Sequence, residues 1–183
     1  MMNLKHALAA GGLTLIGLAV STASLAESKA QIDLGVRDAL KPFYANNQKR
    51  QDLAHAAAGI LVFPRITKAG AGIGGEYGEG VLRVDGKTVG YYSIGGGSVG
   101  LTLGAGERSE VIMFMTQESL TKFTNSHGWT VGADASVAML SDGAAADYDS
   151  KTLQKPIIGF DYDQKGLIGD LSLDGSKISR LNK

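Results

Sequence analysis

The residues able to do chemistry in this chain are few. The sequence contains no cysteine, and beyond residue 26 its histidines are His55 and His127. A zinc centre needs three or four histidine, cysteine or carboxylate ligands, so the supply is thin. Ser119 or Ser126 can be drawn with His127 and Asp134 as nucleophile, base and orienting acid. Neither serine lies in the strained strand–turn–helix elbow that activates such a nucleophile. Asp161-x-Asp163-x-Lys165-Gly166 opens like a calcium loop, but its fifth position is lysine and its twelfth is Ser172. A bidentate glutamate is required at that twelfth place, so the segment reads as a polar hairpin tip, with Asp161, Asp163, Asp170 and Asp174 on a solvated face. Gly70-x-Gly72-x-x-Gly75 and Gly95-x-Gly97-x-x-Gly100 match the dinucleotide fingerprint. That fingerprint works where a helix follows and aims its amides at a pyrophosphate, and here a strand-like alternation continues instead. The chain reads as a non-enzyme without a cofactor or metal.

What remains is charge. Lys29, Arg37, Lys41, Lys49, Arg50, Arg65 and Lys68 all precede the glycine-rich part of the chain. Asp33, Asp38 and Asp52 are interspersed, as on a solvated face. The functional alternative is a phosphate-binding surface for lipid headgroups, where each exposed cation adds about 1 kcal/mol at an anionic membrane. Over the whole chain 18 basic residues balance 18 acidic ones. No global field therefore draws the protein to nucleic acid, and nucleic acid is not an expected partner. Tyr91, Tyr92, Met113, Phe114, Met115 and Trp129 read as core.

Residues 1–26 have the pattern of a secretory leader: basic Lys5, an apolar stretch over 7–20, and small residues in Ser24-Leu25-Ala26 before a cut after Ala26. Fourteen apolar residues fall short of the roughly 20 a spanning helix needs. The expectation is a mature chain over 27–183, periplasmic or secreted, and not a lipoprotein, because no cysteine borders the cut. Losing Lys5 leaves 17 basic against 18 acidic residues.

The elements that position the cations come next. Ile32, Val36, Leu40 and Phe43 share one face of a helix over 27–44, which Pro42 kinks or ends. Asn46 or Asn47 caps a second helix over 48–58, stopped by Gly59, with Lys49, Arg50 and His55 outside and Leu53, Ala56 and Ala57 inside. Residues 60–63 form a short apolar strand closed by Pro64, with Arg65 and Lys68 in a loop. The stretch 69–106 then holds 14 of the 26 glycines. They alternate with larger residues at the strand period, so one strand face is nearly bare and something sits close against it: a helix, another strand or a ligand. Asp85-Gly86 marks a hairpin turn. Residues 111–115 read as a central strand, 117–125 as a helix capped by Thr116 with Leu120 and Phe123 inward, and 131–139 as an alternating strand. Residues 141–153 read as a loop, 157–162 and 167–173 as a closing hairpin, and 177–183 as a basic tail. The sum is a single α+β domain: N-terminal helices packed on a glycine-rich, mostly antiparallel sheet with one inserted helix, curled toward a barrel by its glycines.

Several stretches together resemble the SYLF-domain family: Gly59-Ile-Leu-Val-Phe-Pro64, Lys68-Ala-Gly-Ala-Gly-Ile-Gly-Gly75, Tyr77-Gly-Glu-Gly-Val-Leu82, Gly97-Ser-Val-Gly-Leu101, Val111-Ile-Met-Phe-Met115, Trp129-Thr-Val-Gly-Ala-Asp-Ala135 and Gly166-Leu-Ile-Gly-Asp-Leu-Ser-Leu-Asp-Gly175. They occur in the family's order over residues 30–181, and the leader is similar to that of the bacterial, exported branch. The resemblance implies phospholipid binding through a basic amphipathic helix at the start of the domain. Here that helix corresponds to 28–44 and offers Lys29, Arg37 and Lys41. Some fungal members bind actin, but export would separate this chain from actin, so actin is not an expected partner.

The reading is therefore a non-catalytic phospholipid-binding module of the bacterial cell envelope, docking on anionic lipid and holding an acyl chain near the glycine-lined sheet face. The rivals are a structural or protein-interaction module of the envelope without lipid binding, and an envelope hydrolase starting from His127 and Asp134.

Overall fold

The structure, a computed structural model, describes residues 26–45, 47–141, 154–166 and 175–183. Its N-terminal helix α1, Lys29–Tyr44, opens on a capping box: the Ser28 hydroxyl accepts from the Gln31 amide, and the Gln31 side chain accepts from the Ser28 amide. Two orphan amides of the first turn are satisfied this way. Ile32, Val36, Leu40 and Phe43 are buried, as the spacing requires. Pro42 neither stops the helix nor prevents Tyr44 from joining it. Helix α2, Gln48–Ala56, starts at Asn47, whose side chain accepts from the Arg50 amide, and ends before Gly59. Its expected faces are corrected at two places: Arg50 is buried and Ala56 is exposed.

Two very long strands follow. Strand β1, Gly59–Val84, and strand β2, Lys87–Phe114, pair antiparallel along most of their length. The turn between them places Asp85 at φ 50° and Gly86 at φ 74°. Two successive left-handed residues make the type I′ turn, whose twist matches that of a hairpin. Pro64 does not close a strand. The ladder skips from Phe63–Glu110 to Ile66–Arg108, so Pro64 occupies an irregularity where no amide is needed, and its carbonyl accepts from the Ser109 hydroxyl at 2.8 Å. Arg65 and Lys68 are accordingly strand residues, not loop residues.

Helix α3, Gln117–Asn125, follows β2 and is capped by Thr116, with Leu120 and Phe123 buried. The expected strand over 131–139 is not formed. Strand β3 is only Trp129–Thr130, and β4 is Ala138–Ser141. Between them Gly132 adopts φ 85°, and the Asp134 side chain and amide bond the Thr130 amide and carbonyl, folding the segment into a turn. Strand β5 is Ile157–Gly166, and β6, Lys177–Leu181, makes a strand of most of the expected basic tail. The expected elements at 142–153 and 167–173 lie outside the described residues.

The strand order is β3-β6-β2-β5-β4, with β1 along β2. One half of β2 pairs with β6 and the other with β5, while β4 and β5 run parallel. Among the described residues the result is three helices on a mostly antiparallel, strongly curled half-barrel sheet, a single α+β domain. Both faces are covered where the apolar runs are uninterrupted. Val62, Val111, Met113, Ile158 and Phe160 pack with α1, while Leu61, Phe63, Ile112, Phe114 and Ile157 pack with α3 and Trp129. Burial on both faces is what an unbroken apolar strand demands.

At Gly78 and Gly80 the partner is another part of the same strand. A β-carbon on Gly80 would lie 2.1 Å from the Val62 carbonyl oxygen, and one on Gly78 2.6 Å from that of Arg65. Strand β1 curls until its two ends meet, and only glycine lets the backbones approach so closely. The space proposed for an acyl chain is filled by backbone at these two residues.

Candidate functional site

Two faces of α1 have different tasks. The apolar row packs on the sheet, and Gly35 lets the helix approach Pro64, since a β-carbon there would stand 3.2 Å from the proline ring. The opposite face carries Leu34, Arg37, Asp38 and Lys41, all exposed, with Leu34 at 51%. Leu34, Arg37 and Lys41 fall at i, i+3 and i+7 and therefore share one stripe. Lys41 pairs with Asp38 at 2.9 Å, both open to solvent. The Lys41 ammonium, first by its hydrogen bond and then by its charge, holds the Asp38 carboxyl below its ordinary range. Such pairs are worth little, so Lys41 is available to another anion.

The seven expected cations separate into three groups. Arg37 and Lys41 lie on the outer stripe, and Lys49 is exposed on α2. Lys29 turns toward the sheet, with its ammonium 5.7 Å from the Tyr91 ring, while Asp33 one turn later accepts from the Tyr91 hydroxyl at 2.9 Å. Arg65 is exposed and pairs with Glu27 at 3.3 Å. Arg50 and Lys68 are buried. The Arg50 guanidinium lies 4.8 Å from the Phe43 ring and 5.5 Å from the Phe160 ring and donates to the Phe43 carbonyl. It joins α2 to α1 and cannot reach a membrane surface from there. An arginine buried through ring stacking has the same sequence pattern as an exposed one, so helical spacing misplaced it.

Beside α1 a cleft of about 660 Å³ opens between the two helices and the hairpin end of the sheet. Leu40, Tyr44, Ala54, Ala57 and Ile60 give it an apolar lining, with His55 and Arg83 as its basic groups. Arg83 also donates to the carbonyl of Gly86, which holds it against its own turn. No pattern in the sequence pointed to this cleft, because its walls come from four separate stretches.

The sequence reading also missed a buried charge cluster. Arg108 lies between Glu76 at 2.9 Å, Asp161 at 3.2 Å and Glu110 at 3.6 Å, all four side chains nearly sealed from water. Glu76 further accepts from the Ser176 hydroxyl at 2.6 Å. Among the described residues neither Glu110 carboxyl oxygen has a hydrogen-bond partner, since the 3.6 Å to Arg108 is too long for one. Burial, then the charge of Asp161, pushes the Glu110 carboxyl well above the ordinary range. Burial pushes Asp161 up to about 6 against the pull of Arg108. Asp161 is thus a core partner of β2 and not part of a solvated acidic face. One useful signal was present: Arg108 and Glu110 sit two apart, next to the unbroken apolar run.

The two serines and Asp134 of the nucleophile set drawn on paper have their side chains committed elsewhere. Ser119 Oγ donates to the Thr116 and Pro156 carbonyls, Ser126 Oγ donates to Phe123, and Asp134 binds the Thr130 amide.

Among the curated proteins, none matches this chain. The sequence profile of the Ysc84 family, described as Las17-binding protein actin regulator, matches residues 95–183. The match begins in β2 and takes in α3, the described strands β3 to β6 and four of the seven motifs that carried the resemblance. Over that segment, the chain is similar to the SYLF-domain (Ysc84) family.

Proposed function

We propose that this protein is a non-catalytic phospholipid-binding module of the bacterial cell envelope, docking on anionic lipid through the outer stripe of α1. SYLF domains are binding domains, which supports a binding role without chemistry. The observation that carries the lipid reading is the exposed Leu34 on one stripe with the cations Arg37 and Lys41, one and two turns after it. An apolar side chain next to basic ones suits the headgroup boundary, where the first inserts and the others meet phosphate. The cleft beside α1, with an apolar lining and two basic groups, offers room for part of an acyl chain. Export, with removal of residues 1–26, puts the module in the periplasm or outside the cell.

Sedimentation with vesicles of phosphatidylglycerol or of phosphatidylcholine, across a salt series, tests this. Binding to the first and not the second, weakening as salt rises, is the expected result. Absence of binding to either at low salt rejects the lipid reading and favours the second one, an interaction module that uses the same stripe on a protein.

A further inference from the structure

We propose that removal of the leader creates a ligand for the fold itself: the new α-ammonium of Glu27 docks on the buried carboxylate of Glu79 and latches the start of α1 to the sheet. The inference rests on the cut after Ala26 proposed above. In the cleavage step, water adds across the Ala26–Glu27 peptide bond. Ala26 leaves with a carboxylate, and the Glu27 nitrogen takes up a proton to become an ammonium.

The site for that ammonium is already built. The Glu27 nitrogen lies 3.2 Å from Glu79 Oε2 and donates to it. Glu79 is 5% exposed although it is charged and sits in a strand of the curled sheet. Its other oxygen, Oε1, accepts from the Tyr77 hydroxyl at 2.7 Å. Lys183 completes the group, its ammonium contacting both Glu79 Oε2 and the Glu27 carbonyl. The Glu27 side chain is held in turn by Arg65. Every polar group of residue 27 is therefore engaged one residue before the cap of α1, a degree of anchoring that a passing linker does not need.

In the uncut chain the Glu27 nitrogen is one neutral donor. After cleavage it carries a full charge and three donors, and hydrogen bonds between ionised partners are shorter and about twice as strong as neutral ones. The ionisable groups around the new ammonium are Glu79, Lys183, Tyr77, Arg65 and the side chain of Glu27 itself. Lys183 and Arg65 repel it while Glu79 and the Glu27 carboxylate attract it, and Glu79 is the group in direct contact, so Glu79 decides the sign. The latch fixes the N-terminal end of the helix whose outer stripe carries Leu34, Arg37 and Lys41.

The experiment uses the chain exported from its full-length gene. Intact mass establishes the first residue, and acylation of the α-amino group at pH 7 is then followed by mass spectrometry in the native protein and in urea. The latch predicts Glu27 as first residue and acylation at least tenfold slower in the native state. Glu79→Gln should restore most of the reactivity, with circular dichroism confirming the fold. If Glu79→Gln does not fold, the melting temperature of wild-type protein before and after α-acetylation replaces it, and acetylation should lower it by several degrees. A first residue other than Glu27 overturns both the leader reading and the latch. Glu27 as first residue, with equal reactivity in the native and urea-unfolded states, overturns the latch alone.

Discussion

Gly80 and the Val62 carbonyl face each other within one strand, so closely that a β-carbon on Gly80 would stand 2.1 Å from the oxygen. Contact at that distance cannot be relieved by rotating a side chain, because backbone lies on both sides. Gly80→Ala should therefore cost at least the 1–3 kcal/mol typical of overpacking and lower the melting temperature clearly. Gly75→Ala is the contrast. Its β-carbon would meet the Gly96 carbonyl at 3.6 Å, an ordinary contact, at an exposed position. It should leave stability within about 1 kcal/mol of wild type, because the entropy removed from the unfolded chain offsets any crowding. Equal melting temperatures for the two variants would refute the account of the curled strand.

Arg50 and the pair Arg37–Lys41 should separate by assay. Arg50→Ala removes the buried guanidinium between Phe43 and Phe160 and should cost about 2–3 kcal/mol in urea unfolding, the scale of a large-to-small core change. Arg37→Gln with Lys41→Gln should leave the urea midpoint nearly unchanged, since exposed charges contribute little to stability. On phosphatidylglycerol vesicles the double variant should bind tens of times more weakly, from about 1 kcal/mol per cation. Unchanged binding would remove the outer stripe from the site.

Glu110 makes stability depend on pH in a direction opposite to that of a paired carboxylate. Its proton is held in the folded state at pH values where the unfolded chain has lost it, and the same is true of Asp161, pushed up to about 6. A raised carboxyl contributes stability that is complete below the unfolded value near 4 and lost as pH rises through the folded value. For Asp161 alone the loss between pH 4 and 7 is on the order of 2 kcal/mol. Glu110→Gln keeps the shape and removes the titration, so its stability relative to wild type should rise as pH goes from 5 to 7. Denaturant midpoints at several pH values measure this. A constant gap between the two proteins would show that Glu110 titrates as it does in the unfolded chain.

The parts of this molecule that sequence made legible are those a local period encodes. The buried row of α1 follows from the 3.6-residue spacing of Ile32, Val36, Leu40 and Phe43, and the hairpin at Asp85-Gly86 from the two left-handed residues its turn requires. Helix α3 followed from Thr116 and the spacing of Leu120 and Phe123. What local pattern could not show depends on distant partners. Pro64 looked like a strand end because its missing amide is harmless only where the ladder with β2 skips. Arg50 looked exposed because its ring partners lie on α1 and β5. The alternation over 131–139 is real, yet Gly132 and Asp134 turn the chain locally. Of the site, the cations of α1 were visible. The cleft, the Arg108 cluster and the closure on Glu79 were not, since each joins residues far apart in the chain.

The final prediction opposes the two faces of α1. Ile32 and Phe43 are fully buried, Phe43 against Tyr44, Phe160 and Tyr162 with ring centroids 5.0 to 5.3 Å apart. They pack on the sheet and are not free to enter a bilayer in this arrangement. Phe43→Ala should cost about 3–5 kcal/mol and Ile32→Ala about 2–5 kcal/mol. Leu34 points the other way, so Leu34→Ala should change stability by no more than about 0.5 kcal/mol. If Leu34 inserts at the headgroup boundary, that same variant should bind phosphatidylglycerol vesicles about tenfold more weakly, because burying a leucine side chain is worth about 1.5–3 kcal/mol and alanine retains only part of that. The weakening should persist at high salt, where the contribution of Arg37 and Lys41 is screened. Vesicle binding that is identical for Leu34→Ala and wild type across the salt series would leave the stripe purely electrostatic and remove insertion from the mechanism.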